Sequence, residues 1–293
     1  SDVVITLTSG DTGEATVTST LTFTSGNWDT AQTVTVTGVD DVAVDGNQTT
    51  TITASIDDDN SDDGYDSVED QTVSVTTTDD DTAGYTIVES GGSTSVSESG
   101  TTDTFTLVLN TQPLSDVVFN ISSSDTGEAT VTTTLTFTPA NWDTAQTATV
   151  TGIDDSIIDG TQTATITVSI NDGSSDDDFD SLADQTITTS NVDDDVAGFT
   201  IAETGGSTAV AESGSTDTFT VVLDAQPTSD VVLSITSNDT GESSVPSALT
   251  FTSANWDTAQ TVTVTGVDDD IIDGEQGSSL TITVDDSNSD NDF

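Results

Sequence analysis

The sequence predicts an all-β protein made of tandem antiparallel two-sheet sandwiches, and three observations lead to this prediction. Val, Ile, Thr and Phe alternate in runs such as TLTFT and TVTVTG, the period of strands with one buried face. Turn sequences such as SGGST and NTQPLS separate these runs. The pattern repeats every 114 residues, because Trp28, Trp142 and Trp256 lie that far apart. A period of this length fits a small sandwich domain rather than one turn of a solenoid.

The repeat divides the chain into three copies. We predict a partial repeat at 1–83 that lacks the first two strands, a complete repeat at 84–197, and a partial repeat at 198–293 that lacks the last strand. The complete repeat should contain about seven strands and no helix. We place these strands near 85–88, 103–110, 116–122, 131–138, 145–153, 162–170 and 185–192. Because the chain begins and ends within a repeat, we expect it to be part of a longer array.

Charge determines which partners the protein can have. The chain has 54 Asp and Glu residues, no Lys, Arg or His, and a net charge of -54. Two carboxylates about 4 Å apart repel by roughly 4 kcal/mol at an effective dielectric of about 20, and no basic side chain is present to offset this. The charge excludes nucleic acid and anionic membranes as electrostatic partners. With no Cys, metal sites must use oxygen ligands, which suit calcium or magnesium.

Strand direction predicts where the acidic residues meet. If successive strands of the complete repeat alternate in direction, the acids that follow every second strand lie at one end of the sandwich. That end borders the next repeat, so we expect a multi-calcium site at a junction between domains, with six to eight oxygen ligands per ion. The predicted ligands are Glu89, Asp125, Asp154, Asp155, Asp159, Asp193, Asp194 and Asp195.

The repeat resembles the Calx-beta domain family. The resemblance runs from AGYTIVE to NVDDD and includes the glutamates at Glu89 and Glu203, the TDTFT strand, the segment LTFTPANWDTAQTATVTGIDD and the closing DDD runs. It implies immunoglobulin-like sandwiches that bind calcium in loops at the C-terminal end of each domain. In the outer repeats it implies metal ligands at Asp11, Asp40, Asp41, Asp45, Asp79, Asp80, Asp81, Glu203, Asp239, Asp268, Asp269 and Asp273.

Other interpretations of the same residues stay open. The acids could form only a solvated surface. The segment 57–70 has the ligand spacing of an EF-hand loop in its Asp59, Ser61, Asp63, Gly64 and Asp70, although the second copy loses part of this pattern. A looser cation site at that end is the alternative. The three tryptophans could stack on a sugar, but a packing role is favoured.

The sequence therefore predicts a non-enzymatic, calcium-binding spacer of a large extracellular or cell-surface protein, such as an adhesin or surface filament. Its partners would be calcium ions and neighbouring repeats, with calcium stiffening the junctions. Catalysis is not expected because the usual general bases, thiol nucleophile and cationic groups are missing. The alternatives are an adhesive module that binds carbohydrate or protein, and a self-assembling sheath or fibre subunit in which chains associate laterally.

Overall fold

The strands of the protein follow the alternating apolar runs of the sequence. A computed structural model describes residues 1–272 and 274–293, and these residues form an all-β protein with antiparallel sheets. The strands of the first repeat are β1 (Val3–Ser9), β2 (Ala15–Val17), β3 (Thr20–Phe23), β4 (Val36–Gly38), β5 (Gln48–Ile56) and β6 (Gln71–Thr77). Those of the second are β7 (Tyr85–Glu89), β8 (Thr94–Ser97), β9 (Thr102–Leu109), β10 (Val117–Ser123), β11 (Ala129–Val131), β12 (Thr134–Phe137), β13 (Gln146–Gly152), β14 (Gln162–Ile170) and β15 (Gln185–Val192). Those of the third are β16 (Phe199–Glu203), β17 (Thr216–Leu223), β18 (Val231–Ser237), β19 (Ser243–Ser244), β20 (Ala248–Phe251), β21 (Gln260–Gly266) and β22 (Leu280–Val284).

Helical structure in the described residues is limited to three-residue 3-10 turns. These turns lie at Asp58–Asn60, Ser90–Gly92, Asp172–Ser174, Asp177–Phe179 and Thr204–Gly206. No helix in this part of the chain has the length and apolar character needed to cross a membrane.

The middle repeat is a β-sandwich of two sheets. One sheet has the strand order β12-β10-β14-β15-β8, and the other has the order β11-β13-β9-β7. All pairs are antiparallel except β8 with β15, which is parallel. The inward residues of both sheets form one core, in which Phe105, Phe119 and Phe137 are fully buried. Tyr85 meets Phe119 edge to face, with ring centroids 4.9 Å apart.

This repeat contains nine strands where the sequence predicted about seven, because β8 is an additional strand and one predicted strand divides in two. After β7, Gly91 and Gly92 adopt positive φ angles of 67° and 85°, and the chain crosses to the other sheet as β8. The predicted strand at 131–138 divides into β11 and β12. Thr132 donates to the β13 sheet while the next residue accepts from β10 of the opposite sheet, so the division lies between these two residues.

The outer repeats reuse this architecture with fewer strands. The first contains the sheets β3-β1-β5-β6 and β2-β4, and the third contains β16-β17-β21-β19 and β20-β18-β22. Trp142 and Trp256 pack against the cores of the second and third repeats, which favours the packing role of the repeated tryptophan. Trp28 of the first repeat is 71% exposed.

Consecutive repeats contact each other through the acidic loop, which is the segment between β4 and β5 (39–47) in the first repeat and between β13 and β14 (153–161) in the second. The backbone N–H of Gln112, in the turn after β9, donates to the carbonyl of Val42 at 2.7 Å, and the Gln112 carbonyl accepts from Val44 at 3.1 Å. At the next boundary Gln226 donates in the same way to the carbonyl of Ser156, at 2.6 Å. The acidic loops of the first and second repeats therefore each form a short parallel bridge with a turn of the following repeat.

Candidate metal centre

Carboxylates from distant parts of the chain converge at one end of the middle sandwich. Glu98, Asp155 and Asp195 each place an oxygen within 4.8 Å of the others. A second group shares Asp155 and adds Glu128 and Asp159 under the same limit. These five residues follow four different strands, so only the folded chain brings them together.

The first repeat forms the equivalent site. Glu14, Asp41 and Asp45 lie within 4.8 Å of one another. They line an open cleft of about 300 Å³. Predicted ligands complete its walls, namely Asp40, Asp79, Asp80 and Asp81. Six of the seven acids predicted as ligands in this repeat therefore share one cleft, which indicates that the arrangement belongs to the repeat and not to one copy.

The loop after β13 is shaped by its own polar groups. Oδ1 of Asp155 accepts from the backbone N–H of Ile157 at 2.7 Å, which turns the chain directly after the strand. The side chain of Gln162, at the start of β14, donates to the carbonyl of Asp159 at 2.8 Å and fixes the other end of the loop. These bonds hold the carboxylates of the loop close together.

The closing DDD run is tied to this loop by its first residue. Asp193 accepts backbone N–H bonds from Gly160 and Asp195, both at 2.8 Å. In the first repeat Asp79 accepts from Gly46 and Asp81 at the same distances. The N–H donors of Asp81 and Gly46 hold the pKa of Asp79 below its ordinary value, because they stabilise the charged form.

Glu98 is the most enclosed carboxylate of the cluster. It follows β8, and its backbone N–H donates to the carbonyl of Val192 at 3.1 Å. The segment lies so close to β13 that a Cβ at Gly152 would collide with the carbonyl oxygen of Ser97. The side chain is 1% exposed, and its Oε2 atom has no hydrogen-bond partner. Burial, followed by the nearby charge of Asp155, raises the pKa of Glu98 to about 7.

The pKa values of other carboxylates in the clusters are raised for the same reason. Burial raises the pKa of Asp195, with further contributions from Asp193 and Asp194, and its Oδ2 atom is buried without a partner. Burial also raises the pKa of Asp159. In the first repeat the pKa of Glu14 is raised by burial and then by Asp45. The folded chain thus concentrates negative charge where its own groups do not neutralise it.

The donor set fits a hard divalent cation. Every candidate ligand is a carboxylate oxygen, and buried oxygens of Glu98 and Asp195 point at no donor of the protein. Asn191 adds a further oxygen beside the cluster. Its Nδ2 donates to Glu128 at 3.2 Å and to Ile153 at 3.0 Å, while its buried Oδ1 has no partner. Calcium takes six to eight such oxygens, which this chemistry can supply.

Five of the eight residues predicted as ligands of the middle repeat lie outside these groups, namely Glu89, Asp125, Asp154, Asp193 and Asp194. Oδ1 of Asp125 accepts from Gly127 at 2.9 Å and forms the turn before β11. Asp11 and Asp239 form the same turn in their repeats. Glu89 accepts a hydrogen bond from Thr94 at 2.9 Å. Asp154 and Asp194 stay close enough to raise the pKa of Asp195.

The sequence analysis did not select Glu98 and Glu128, although both carry a repeat signal. Glu128 ends the motif DTGE, which recurs at residues 11–14 and 239–242. Glu98 belongs to the motif ESG, which recurs at 212–214. The Asp of DTGE makes the turn, and its Glu reaches the cluster.

Within the residues that the structure describes, the third repeat presents part of this site. Oδ1 of Asp269 accepts from Ile271 at 2.7 Å, as Asp155 accepts from Ile157. Asp268 directly precedes it in the same loop. The predicted ligand Asp273 lies outside the described residues. Glu203 accepts a hydrogen bond from the Thr208 hydroxyl at 3.4 Å, as Glu89 does from the Thr94 hydroxyl.

The acidic segment 57–70 lies at the end of the sandwich opposite to the carboxylate cluster. Two of its polar side chains have structural roles. The Ser61 hydroxyl accepts from the backbone N–H of Val4 at 2.9 Å and donates to its carbonyl at 3.2 Å. Ser175 and Val118 form the same pair in the second repeat. Asp62 accepts from Gly64 at 3.1 Å. Ser61, a ligand position in the EF-hand interpretation, therefore anchors the segment to β1.

Fold and site together define an acidic β-sandwich repeat protein with carboxylate clusters beside the contacts between repeats. No protein-family model and no curated protein matches the chain. Among solved structures, it is similar to the calcium binding domain CBD12 of CALX1.1, at 18% identity and a TM-score of 0.30, over 68% of this chain and 80% of that one. Domains 4–9 of the surface layer protein SbsC match at 16% identity and a TM-score of 0.30, over 95% of this chain and 36% of that one.

Proposed function

We propose that the chain is a calcium-binding structural spacer of a large extracellular surface protein, such as an adhesin or surface filament. The observation behind this proposal is the enclosed Glu98 carboxylate, which has an unpaired oxygen and lies within 4.8 Å of oxygens from Asp155 and Asp195. The chain has no side-chain cation to offset this arrangement. A bound divalent cation would neutralise the repulsion.

The acidic loop connects such a site to the next repeat. The loop carries Asp155 and Asp159, and the carbonyl of its Ser156 accepts a hydrogen bond from the backbone N–H of Gln226 in the next repeat. When the cation is absent, mutual repulsion of the carboxylates favours an open loop, which weakens this contact. When it is bound, Glu98, Glu128, Asp155, Asp159 and Asp195 would hold it, and the loop would present a fixed edge to its neighbour.

Calcium suits this site better than magnesium. Loop carboxylates form an adaptable oxygen site, whereas magnesium requires near-ideal octahedral geometry and retains its waters. Extracellular calcium modules bind at about 10⁻⁴ to 10⁻³ M, which matches calcium outside the cell. The absence of Lys and Arg also removes every trypsin cleavage site, which suits an exposed protein. We further propose that the role is structural and not enzymatic.

The proposal is tested by titrating calcium calorimetrically into the full chain after treatment with chelator. We expect binding at several sites and a higher melting temperature in calcium. Asp155→Asn should remove one set of sites because Asp155 belongs to both groups of the middle repeat. Asp143→Asn is the matched control, since Asp143 is exposed and lies outside those groups. Absence of binding at millimolar calcium would leave the acids as a solvated surface.

A further inference from the structure

Asp172 and Gly173 form an Asp–Gly pair in the turn after β14. In this dipeptide the aspartyl carboxyl is open to attack by the backbone nitrogen of the glycine, because glycine has no Cβ to shield that nitrogen. The same dipeptide occurs elsewhere in the chain at 45–46, 63–64, 159–160 and 273–274. The last of these includes Asp273, which lies outside the described residues.

In three of these pairs the N–H of the glycine donates to a carboxylate oxygen of another aspartate. The bonds are Gly46 to Asp79 and Gly160 to Asp193, both at 2.8 Å, and Gly64 to Asp62 at 3.1 Å. Each of these nitrogens would have to leave its partner before it could approach the preceding carboxyl. The fold therefore restrains the reaction at these pairs.

The nitrogen of Gly173 is not restrained in this way. Within the described residues its N–H makes no hydrogen bond. Asp172 and Gly173 are both exposed. A Cβ added at Gly173 would meet nothing closer than Oδ1 of Asn171, at 4.0 Å, so the space around this residue is open. Among the Asp–Gly pairs that the structure describes, this is the one whose nitrogen is free to react.

We propose that Asp172 is a site of spontaneous isoaspartate formation. The Gly173 nitrogen bonds to Cγ of Asp172, and its proton leaves with the carboxyl hydroxyl as water, which closes a five-membered succinimide ring. Water then adds to one of the two ring carbonyls. Cleavage of the new bond to nitrogen restores aspartate, whereas cleavage of the original peptide bond leaves the main chain running through Cγ. One water is released and one is consumed, so no cofactor or oxidant takes part.

This modification changes a turn that is attached to the sandwich. The N–H of Asn171 donates to the carbonyl of Val118 at 2.8 Å, and the N–H of Ser174 donates to the carbonyl of Asn171 at 2.9 Å. The Ser175 hydroxyl accepts from the N–H of Val118 at 3.0 Å. Isoaspartate adds one backbone carbon between Asn171 and Ser174, which is incompatible with their 3-10 hydrogen bond. The turn therefore loosens where it meets β10.

The site is specific to the second repeat. At the same position the first repeat has Asp58 followed by Asp59, and the third has Asp286 followed by Ser287. The second residue of each of these pairs carries a Cβ, which shields its nitrogen. The turn also lies at the end of the sandwich opposite to the carboxylate cluster, so the reaction at Asp172 does not depend on the proposed calcium site.

Incubation of the full chain in heavy-oxygen water at mildly acidic pH tests the proposal, with calcium present to keep the acidic loops closed. Each passage through the succinimide introduces one heavy oxygen at Asp172, whether aspartate or isoaspartate results. Chymotryptic digestion of the denatured chain and fragmentation mass spectrometry locate the label. We expect label at Asp172 and little at the aspartates of the other described Asp–Gly pairs. Hydrogen exchange at residues 171–176 should be faster in the fraction that contains isoaspartate.

Gly173→Ala is the matched variant, because its Cβ fits the open space and shields the nitrogen. It should lose the label at Asp172. The peptide INDGSS, residues 170–175, sets the incubation time, since its Asp–Gly pair reacts without a fold around it. Three results would overturn the proposal. They are no label at Asp172 once the peptide is labelled, label at Asp63 equal to that at Asp172, or label that persists in Gly173→Ala.

Discussion

Gly160 donates its backbone N–H to Oδ2 of Asp193 across 2.8 Å, and this bond joins the acidic loop to the closing acidic run. The first repeat has the same bond between Gly46 and Asp79, also at 2.8 Å. Both carboxylate oxygens of Asp193 accept backbone N–H bonds, because its Oδ1 accepts from Asp195. Asp193 therefore contributes to the cluster by positioning its other carboxylates.

The first prediction concerns Asp193→Asn. An amide side chain can accept through one oxygen only, so one of the two backbone bonds of Asp193 is lost. We expect the calcium affinity of the middle repeat to fall by about tenfold, which corresponds to ~1.4 kcal/mol. Calorimetry on the full chain checks this. Asp184→Asn, an exposed change just before β15, should bind calcium as the unchanged chain does.

The second prediction separates the two glutamates near β8. Glu98→Gln removes a buried negative charge, so in chelator the melting temperature should rise, while the further rise caused by calcium should shrink. Glu89→Gln removes a carboxylate outside the cluster and should leave the calcium response unchanged. Thermal unfolding with and without calcium measures both. Equal responses of the two variants would contradict the placement of Glu98 in the site.

The third prediction is the pH dependence of stability in chelator. The pKa of Glu98 is raised from 4.5 to about 7 in the folded protein, so the folded state binds its proton more tightly than the unfolded state. Its stabilising effect is full below pH 4.5 and is lost as the pH rises through 7. The raised pKa of Asp195 acts in the same direction. The chain should therefore melt at a higher temperature near pH 5 than near pH 8.

The variant Glu98→Gln provides the check on this assignment. It should reduce the difference in melting temperature between the two pH values, because it removes the carboxyl whose pKa is raised to about 7. Carboxylates with lowered pKa, such as Asp79, oppose the trend only at pH values below about 3.8. A melting temperature that rises steadily from pH 5 to pH 8 in chelator would contradict the expected sign.

The fourth prediction concerns Gly152, which ends β13. A Cβ at this position would overlap the Ser97 carbonyl, a backbone atom that cannot rotate away. Gly152→Ala should therefore destabilise the middle repeat by about 1 to 3 kcal/mol, the usual cost of overpacking. Gly173→Ala is the control, because its Cβ would meet no atom closer than 4.0 Å. Denaturant unfolding measures both, and equal stabilities would show that the segment before Glu98 can move.

Much of the fold could be predicted from the alternating apolar pattern, because each strand carries that pattern within its own residues. Strand β8 could not, since it forms through parallel pairing with β15, almost a hundred residues later in the chain. The position of Glu98 beside Asp155 depends on β8, so no local sequence pattern predicts it. The prediction placed Asp125 at this end because that residue follows the strand at 116–122, and the structure shows that Glu128 of the same loop reaches the cluster. The turn at Asp125 instead directs the following Glu128 into the cluster.

The last prediction tests the coupling between the cluster and the next repeat. The chain has no Cys, so Ala145→Cys with Ala259→Cys creates one spin-label pair at exposed, equivalent positions of the second and third repeats. Electron resonance distances should be broad in chelator and narrow in calcium, because the loop that holds Asp155 also accepts the backbone N–H of Gln226. Adding Asp155→Asn should keep the distribution broad in calcium. A distribution that is equally narrow in chelator would show that the junction is rigid without the ion, and calcium would then act on the stability of single repeats alone.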